Sequence, residues 1–231
     1  MKFSFFYSIF ILLILLLTVS CSKEAQDEHY IDDVLFNNAS FRPNWYDEIS
    51  GSQITLVWQD LFSNNNKNWK TGKISDNCSA EIKSDVYTIK NFEKDYAYDF
   101  VINSDIDIST DYQVVSNVKV SNKNGGGLIV SNGNDYIVFL VSSDKKYTIQ
   151  RFENSQYDEI KAWSSINTDF ATSKFNDLCI RHIDGSYYFY INKSYTGIKC
   201  ASRGLGKEVG FFVNPGSTLT VENIKVSYIK I

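Results

Sequence analysis

Histidine is nearly missing from this chain: His29 and His182 are the only two in 231 residues, and neither has a Cys or carboxylate at ligand spacing on a shared element. Metal-centred and imidazole-based chemistry therefore has little to work with. A cationic surplus is missing too, since 23 Lys and Arg stand against 27 Asp and Glu, a formal charge of -4. Nucleic acid needs a dense positive footprint, so no nucleic-acid partner is expected. No Gly-x-Ser-x-Gly elbow occurs, and no Ser or Cys has a recognisable base partner. Gly125-Gly126-Gly127 precedes a strand and lacks the Lys of a phosphate loop, so these glycines read as close packing or a bulge. One Met, two Pro and no helical period beyond the N-terminal segment leave β structure, which the abundant Tyr, Phe, Val and Ile favour.

The strongest positive signal lies at 124–141. Two apolar runs, 128–130 and 136–141, flank Asn132-Gly133-Asn134-Asp135, whose residues accept the positive φ angles of a tight turn, which predicts a β-hairpin. Six successive apolar residues in the second run predict a strand covered on both faces and central in its sheet. Further strands are predicted at 54–58, 80–82, 86–89, 96–102, 112–120, 147–152, 159–163, 177–183, 187–192, 195–200, 208–213 and 221–229. Lys83-Ser84-Asp85 and Asp184-Gly185 supply turns, and Trp69 closes an Asn-rich loop at 63–68. Ile106 and Ile108, alternating with Asp105 and Asp107, read as a half-buried strand. About a dozen antiparallel strands indicate an all-β fold, a two-sheet antiparallel jelly-roll sandwich over 53–231.

Residues 1–21 read as a targeting segment: Lys2 gives a positive start, and nine uninterrupted apolar residues, 9–17, lead through Thr18-Val19-Ser20 to Cys21. That run is too short for a comfortable membrane span. Small residues before a Cys here resemble the lipobox of bacterial lipoproteins, with Thr18 where Leu is usual. The resemblance implies a lipid on Cys21 and, through it, a membrane partner and an envelope location, with the outer membrane and its surface favoured by the acidic residues that follow. Residues 22–52 are polar and irregular, suited to a tether and an extension in which Trp45 anchors onto the body. An oxidising envelope allows one disulfide among Cys78, Cys179 and Cys200; three buried free thiols are the alternative.

The order Asp60-Leu61-Phe62, Trp69, Gly127-Leu128-Ile129-Val130, Asn134-Asp135-Tyr136, Asn176-Asp177-Leu178, Tyr188-Phe189-Tyr190, Val209-Gly210-Phe211 and Glu222-Asn223-Ile224 resembles a concanavalin A-like lectin/glucanase domain. More narrowly, it is similar to LamG-like modules and relatives of family 16 glycoside hydrolases. These motifs are structural and specify fold more than function. The resemblance implies saccharide chemistry, yet a retaining glucanase of this fold carries Glu-x-Asp-x-x-Glu. The nearest stretch, Glu93-Lys94-Asp95-Tyr96-Ala97-Tyr98, has Tyr98 where the acid should stand and reads as a solvated charge cluster. Asp105, Asp107 and Asp111 offer oxygens of the kind Ca²⁺ takes in related folds, but their spacing also fits a wetted strand face. No catalytic residue, metal ligand or cofactor is nominated. On 187–191, Tyr187, Phe189 and Ile191 share one face, and Tyr188 and Tyr190 the other, where rings and hydroxyls would suit a sugar. Tyr188, Tyr190, Trp69 and Trp163 are the expected ligand-binding residues. The expectation is a non-catalytic, lipid-anchored module that binds glycan or another extracellular ligand. The alternatives are a saccharide hydrolase with a non-standard site and a structural lipoprotein that contacts envelope proteins.

Overall fold

A computed structural model describes residues 46–201 and 204–231, so Cys21, His29, Trp45 and the N-terminal segments that contain them lie outside the described residues. The compact unit that holds the β structure spans Arg42–Ile231. Two short 3₁₀ turns, Tyr46–Glu48 and Gly51–Gln53, precede fifteen strands. These are β1 (Ile54–Asp60), β2 (Gly72–Lys73), β3 (Cys78–Lys83), β4 (Val86–Asn91), β5 (Tyr98–Asn103), β6 (Tyr112–Ser121), β7 (Gly126–Ser131) and β8 (Tyr136–Val141). They continue with β9 (Lys146–Glu153), β10 (Gln156–Ser165), β11 (Asn176–Ile183), β12 (Ser186–Ile191), β13 (Ser194–Ala201), β14 (Glu208–Val213) and β15 (Ser217–Ile229).

The strands form two antiparallel sheets. One runs β13-β12-β11-β6-β15-β4-β3-β2, with β1 also on β15; the other runs β10-β9-β8-β7-β14-β5. Thirteen residues of β15 let its first half pair with β4 and its second with β1. The local chemistry accounts for the joints: Ser84 and Asp85 both take positive φ between β3 and β4, and Asp184 and Gly185 do so between β11 and β12. The hairpin β7–β8 is the middle of the six-stranded sheet, and eleven of its twelve strand residues are buried.

Alternation sends Leu128, Val130, Ile137, Phe139 and Val141 between the sheets, against Ile180, Tyr187, Phe189, Val226 and their neighbours. Phe62, Trp69, Tyr87 and Phe211 form an aromatic knot at one end, with ring centroids 5.4–6.4 Å apart. Such pairs each add about 0.5–1.5 kcal/mol beyond their buried area.

One expected element is absent as a strand. Residues 104–111 form an irregular connection with a turn, because local side chains capture the backbone: Ile106 N–H donates to Ser104 Oγ at 3.1 Å and Ser109 N–H to Asp107 Oδ1 at 3.0 Å. Such bonds replace a ladder. Cys78, Cys179 and Cys200 are all free and buried, which favours the thiol alternative.

Candidate functional site

The four residues expected to meet a ligand separate. Trp69 sits in the aromatic knot, 2% exposed, with its indole N–H donating to Asp60 Oδ2 at 2.8 Å. Tyr188 and Tyr190 do leave the core side of β12, but they are 5% and 0% exposed. Arg181 on neighbouring β11 explains part of their cover: its guanidinium lies 5.0 Å from the Tyr190 ring and 4.1 Å from that of Tyr46, donates to Gln113 Oε1 at 2.9 Å, and donates to the Tyr46 carbonyl at 3.0 Å. Tyr195 packs on both tyrosines. None of these three has the exposure that a stacking platform needs. Trp163 differs, being half-buried on the outer face of the six-stranded sheet, where it packs on Ile129, Val138 and Leu140.

That outer face is the candidate site. Register aligns Glu208, Ser131, Tyr136, Phe152 and Tyr157 in one row across β14, β7, β8, β9 and β10. Phe212, Gly127 and Leu140 lie in another row. Tyr136 and Phe152 stack with centroids 5.4 Å apart and planes 16° apart, and Tyr157 continues the line, 60% exposed. On a flat sheet the Cα atoms of Tyr136 and Phe212, two strands and four residues apart, would be roughly 16 Å from each other. Their ring centroids are nevertheless only 6.4 Å apart. The two rings therefore lean towards each other along this face, over Gly127, Gly210, Ile129 and Val138. Ile129, Val138 and Leu140 there are buried and pack with Val101, Tyr136, Trp163 and Phe212, side chains of the same face.

Polar groups edge the rings. Ser131 Oγ donates to Glu208 Oε2 at 2.6 Å, while Asp99 and Asn103 are exposed on β5 and Gln150 is half-buried on β9. Burial, helped by the Asp99 charge, pushes the Tyr136 phenol above its ordinary value, and burial with Glu159 does the same for Tyr157. Both hydroxyls thus stay protonated donors at neutral pH. Flat rings beside acceptors and donors can stack on the apolar face of a sugar and bond its hydroxyls.

The remaining nominations are scattered. Glu93 lies in the 92–97 connection, where its carboxylate accepts from Ser75 Oγ at 2.5 Å. Asp105 faces Lys67 at 4.0 Å, Asp107 bonds Ser109, and Asp111 Oδ1 accepts from Asp184 N–H at 2.9 Å. Among the described residues no three His, Cys, Asp or Glu side chains gather as a metal set. Sequence reading missed Tyr136, Phe152, Phe212 and Tyr157. Their signal was parity within the strands, Tyr136-x-Val138-x-Leu140 against Ile137-x-Phe139-x-Val141, set beside glycines at 127 and 210.

No protein-family model matches the chain, and no curated protein matches it. Solved structures do. An endo-β-1,3-glucanase from Pyrococcus furiosus is 10% identical, with 79% of this chain and 98% of that one covered, at a TM-score of 0.56. The Emp47p carbohydrate recognition domain is 10% identical over 78% of this chain and 99% of that one, at 0.53. A xylan β-1,4-xylosidase from Bacillus halodurans C-125 is 14% identical over 73% of this chain, at 0.53, and only 38% of its own length is spanned. At these identities the likeness establishes the fold, a concanavalin A-like jelly-roll sandwich.

Proposed function

We propose that this chain is a lipid-anchored cell-envelope protein whose jelly roll binds glycan on the outer face of its six-stranded sheet, without cleaving it. One observation carries the reading: the ring row Tyr136–Phe152–Tyr157, half-buried at its first two members and exposed at Tyr157, with Phe212 and Trp163 beside it. The printed names of the structural neighbours, which include a glucanase and a carbohydrate recognition domain, support saccharide as the ligand class. Cys21 is the proposed lipid attachment, and the acidic residues that follow it support an outer-membrane, surface-facing location.

The absence of cleavage is argued from the carboxylates. The Glu-x-Asp-x-x-Glu set of a retaining glucanase is missing from the sequence, with Tyr98 where the acid should stand. Glu208 is also committed to Ser131.

Glycan-array binding of the full chain tests the proposal, beside the variants Tyr157→Ala and Trp163→Ala. Each variant is expected to weaken binding to the best-bound polysaccharide by at least about tenfold. Binding that neither variant alters, or no binding to any saccharide, refutes the ligand assignment; new reducing ends from β-glucan refute the non-catalytic part. Metabolic labelling with a fatty acid, present in the parent and lost in Cys21→Ser, checks the anchor.

A further inference from the structure

Asparagine followed by glycine occurs twice in the chain, at Asn124-Gly125 and Asn132-Gly133. A glycine has no side chain to shield its amide nitrogen, so that nitrogen can reach the side-chain carbonyl carbon of the preceding asparagine and close a cyclic imide. The structure treats the two pairs differently. Asn124 is held on both sides: its amide donates to the Pro215 carbonyl at 2.7 Å, and its backbone carbonyl accepts from Asn214 Nδ2 at 2.6 Å. Gly125 is walled in, since a Cβ there would lie 2.6 Å from the Trp163 ring and 2.7 Å from the Val141 carbonyl oxygen. Asn132-Gly133 stands in the turn of the β7–β8 hairpin, where Gly133 is exposed and has no neighbour within 4 Å of the place a Cβ would take.

The groups around Asn132 are placed as imide closure needs them. Asp135 N–H donates to Asn132 Oδ1 at 3.0 Å, so the oxygen that gains charge when the side-chain carbonyl is attacked already faces a donor. Asp135 is itself fixed: its carbonyl accepts from Asn132 N–H at 3.0 Å and its carboxylate from Asn154 N–H at 2.9 Å. The attacking nitrogen must lose its proton, and Gly133 N–H donates to Ser131 Oγ at 3.3 Å while Ser131 Oγ donates to Glu208 Oε2 at 2.6 Å. That chain leads a proton from nitrogen to hydroxyl to carboxylate. Ser131 is 4% exposed, so water competes little for its bond to Glu208.

We infer that Asn132 modifies itself: Gly133 N attacks Asn132 Cγ, Ser131 and Glu208 take up the amide proton, and the resulting succinimide is opened by water to aspartate and isoaspartate. The bond from Gly133 N to Cγ forms as the Cγ–Nδ2 bond breaks, the proton taken from Gly133 leaves on ammonia, and hydrolysis of the imide consumes water; nothing is oxidised or reduced. Ser131 touches the reacting nitrogen, and Glu208 acts through it as a positioning residue. Either product puts a carboxylate into the hairpin turn that leads into Tyr136, and isoaspartate also lengthens the turn's backbone. The inference does not rest on the glycan reading.

Incubation of the full chain at neutral pH, followed by mass-spectrometric peptide mapping and isoaspartyl methyltransferase labelling, tests it. Asn132 is expected to convert at least about tenfold faster than Asn124, and faster in the folded chain than in guanidinium chloride, where both pairs fall to the common rate of a flexible peptide. Ser131→Ala and Glu208→Gln should each slow Asn132 about tenfold or more and leave Asn124 unchanged, with circular dichroism checking that the fold is kept; Glu208→Asp should restore part of the rate. The pH profile separates the relay from a merely structural role. With the carboxylate in place the folded rate stays nearly level across neutral pH, whereas in Glu208→Gln and in guanidinium chloride it climbs with hydroxide. Conversion no faster in the folded chain than in guanidinium chloride, a rate untouched by both variants, a parent profile that climbs like that of Glu208→Gln, or aspartate without isoaspartate overturns the inference.

Discussion

Neighbouring glycines on β7 should respond oppositely to the same small change. A Cβ on Gly127 would lie 2.1 Å from the Phe139 carbonyl oxygen and 3.1 Å from Leu140 Cα, both backbone atoms of β8. A Cβ on Gly126 would meet the Phe212 carbonyl oxygen at 3.2 Å and Leu219 side-chain carbons at 3.5 and 3.6 Å. Relief at Gly127 means opening the gap from 2.1 Å to at least 3.0 Å, a difference of about 0.9 Å, in the middle of the six-stranded sheet. Close-packed interiors resist this; overpacking costs about 1–3 kcal/mol, and two strained ladder bonds add about 1 kcal/mol each. Gly127→Ala is therefore expected to cost about 3–5 kcal/mol. At about 2–4 °C per kcal/mol for a chain this long, the midpoint falls by about 6–20 °C. Gly126→Ala needs only a few tenths of an ångström and gains about 0.4–1 kcal/mol from a less flexible unfolded chain, so it stays within about 1 kcal/mol of the parent.

Gly210→Ala falls between them. Its Cβ would lie 2.1 Å from the Phe100 carbonyl oxygen, but β5 is an edge strand and can move outward. Urea unfolding followed by fluorescence of the tryptophans measures all three. Gly127→Ala within about 1 kcal/mol of the parent, or any reversal of the order Gly127, Gly210, Gly126, would refute the geometry.

Trp69→Phe should cost about 1.5–3 kcal/mol, because it removes a bond to the Asp60 carboxylate, and it should leave glycan binding unchanged; urea titration and array binding read the two effects. Burial pushes the Cys179 and Cys200 thiols up to about 12, against the opposing pull of Arg181 and Arg151, and raises Cys78 as well. Mass-spectrometric mapping should find none of the three alkylated in folded protein at mildly alkaline pH and all three alkylated in urea. Burial also holds His182 below its usual 6.5, outweighing Asp111 and Asp184. The unfolded imidazole then protonates first, so this group's contribution is full above about pH 6.5 and is lost as pH falls towards the folded value. His182→Phe keeps the stacking on Tyr112 and Tyr187 and should flatten the fall in thermal midpoint between neutral pH and about pH 5; an unchanged slope counts against it.

Period and turn chemistry were enough for most strands, because they act locally. Ser84-Asp85, Asp184-Gly185 and the apolar run 136–141 dictate their own conformations or burial, and the register between Ala80–Ile89 and Ile82–Tyr87 follows from the first of these turns. The alternation of Ile106 and Ile108 misled because period two also arises in a connection whose backbone is taken by Ser104 and Asp107.

Parity placed Tyr188 and Tyr190 outside the core, and it was right; it carries no information about what lies above them. Their neighbour Arg181 reaches a carbonyl 135 residues earlier in the chain, and no local pattern encodes that contact. On the other sheet the same alternation puts Tyr136, Phe152 and Phe212 outward, where their cover consists of one another. An apolar run buried on both faces thus has two structural meanings: a strand between layers, or a strand whose outer face is roofed by its own rings. β8 is of the second kind, so Tyr136 on β8 and Tyr157 on β10 keep part of their surface open, whereas Tyr188 and Tyr190 on β12 are buried beneath Arg181 and Tyr195.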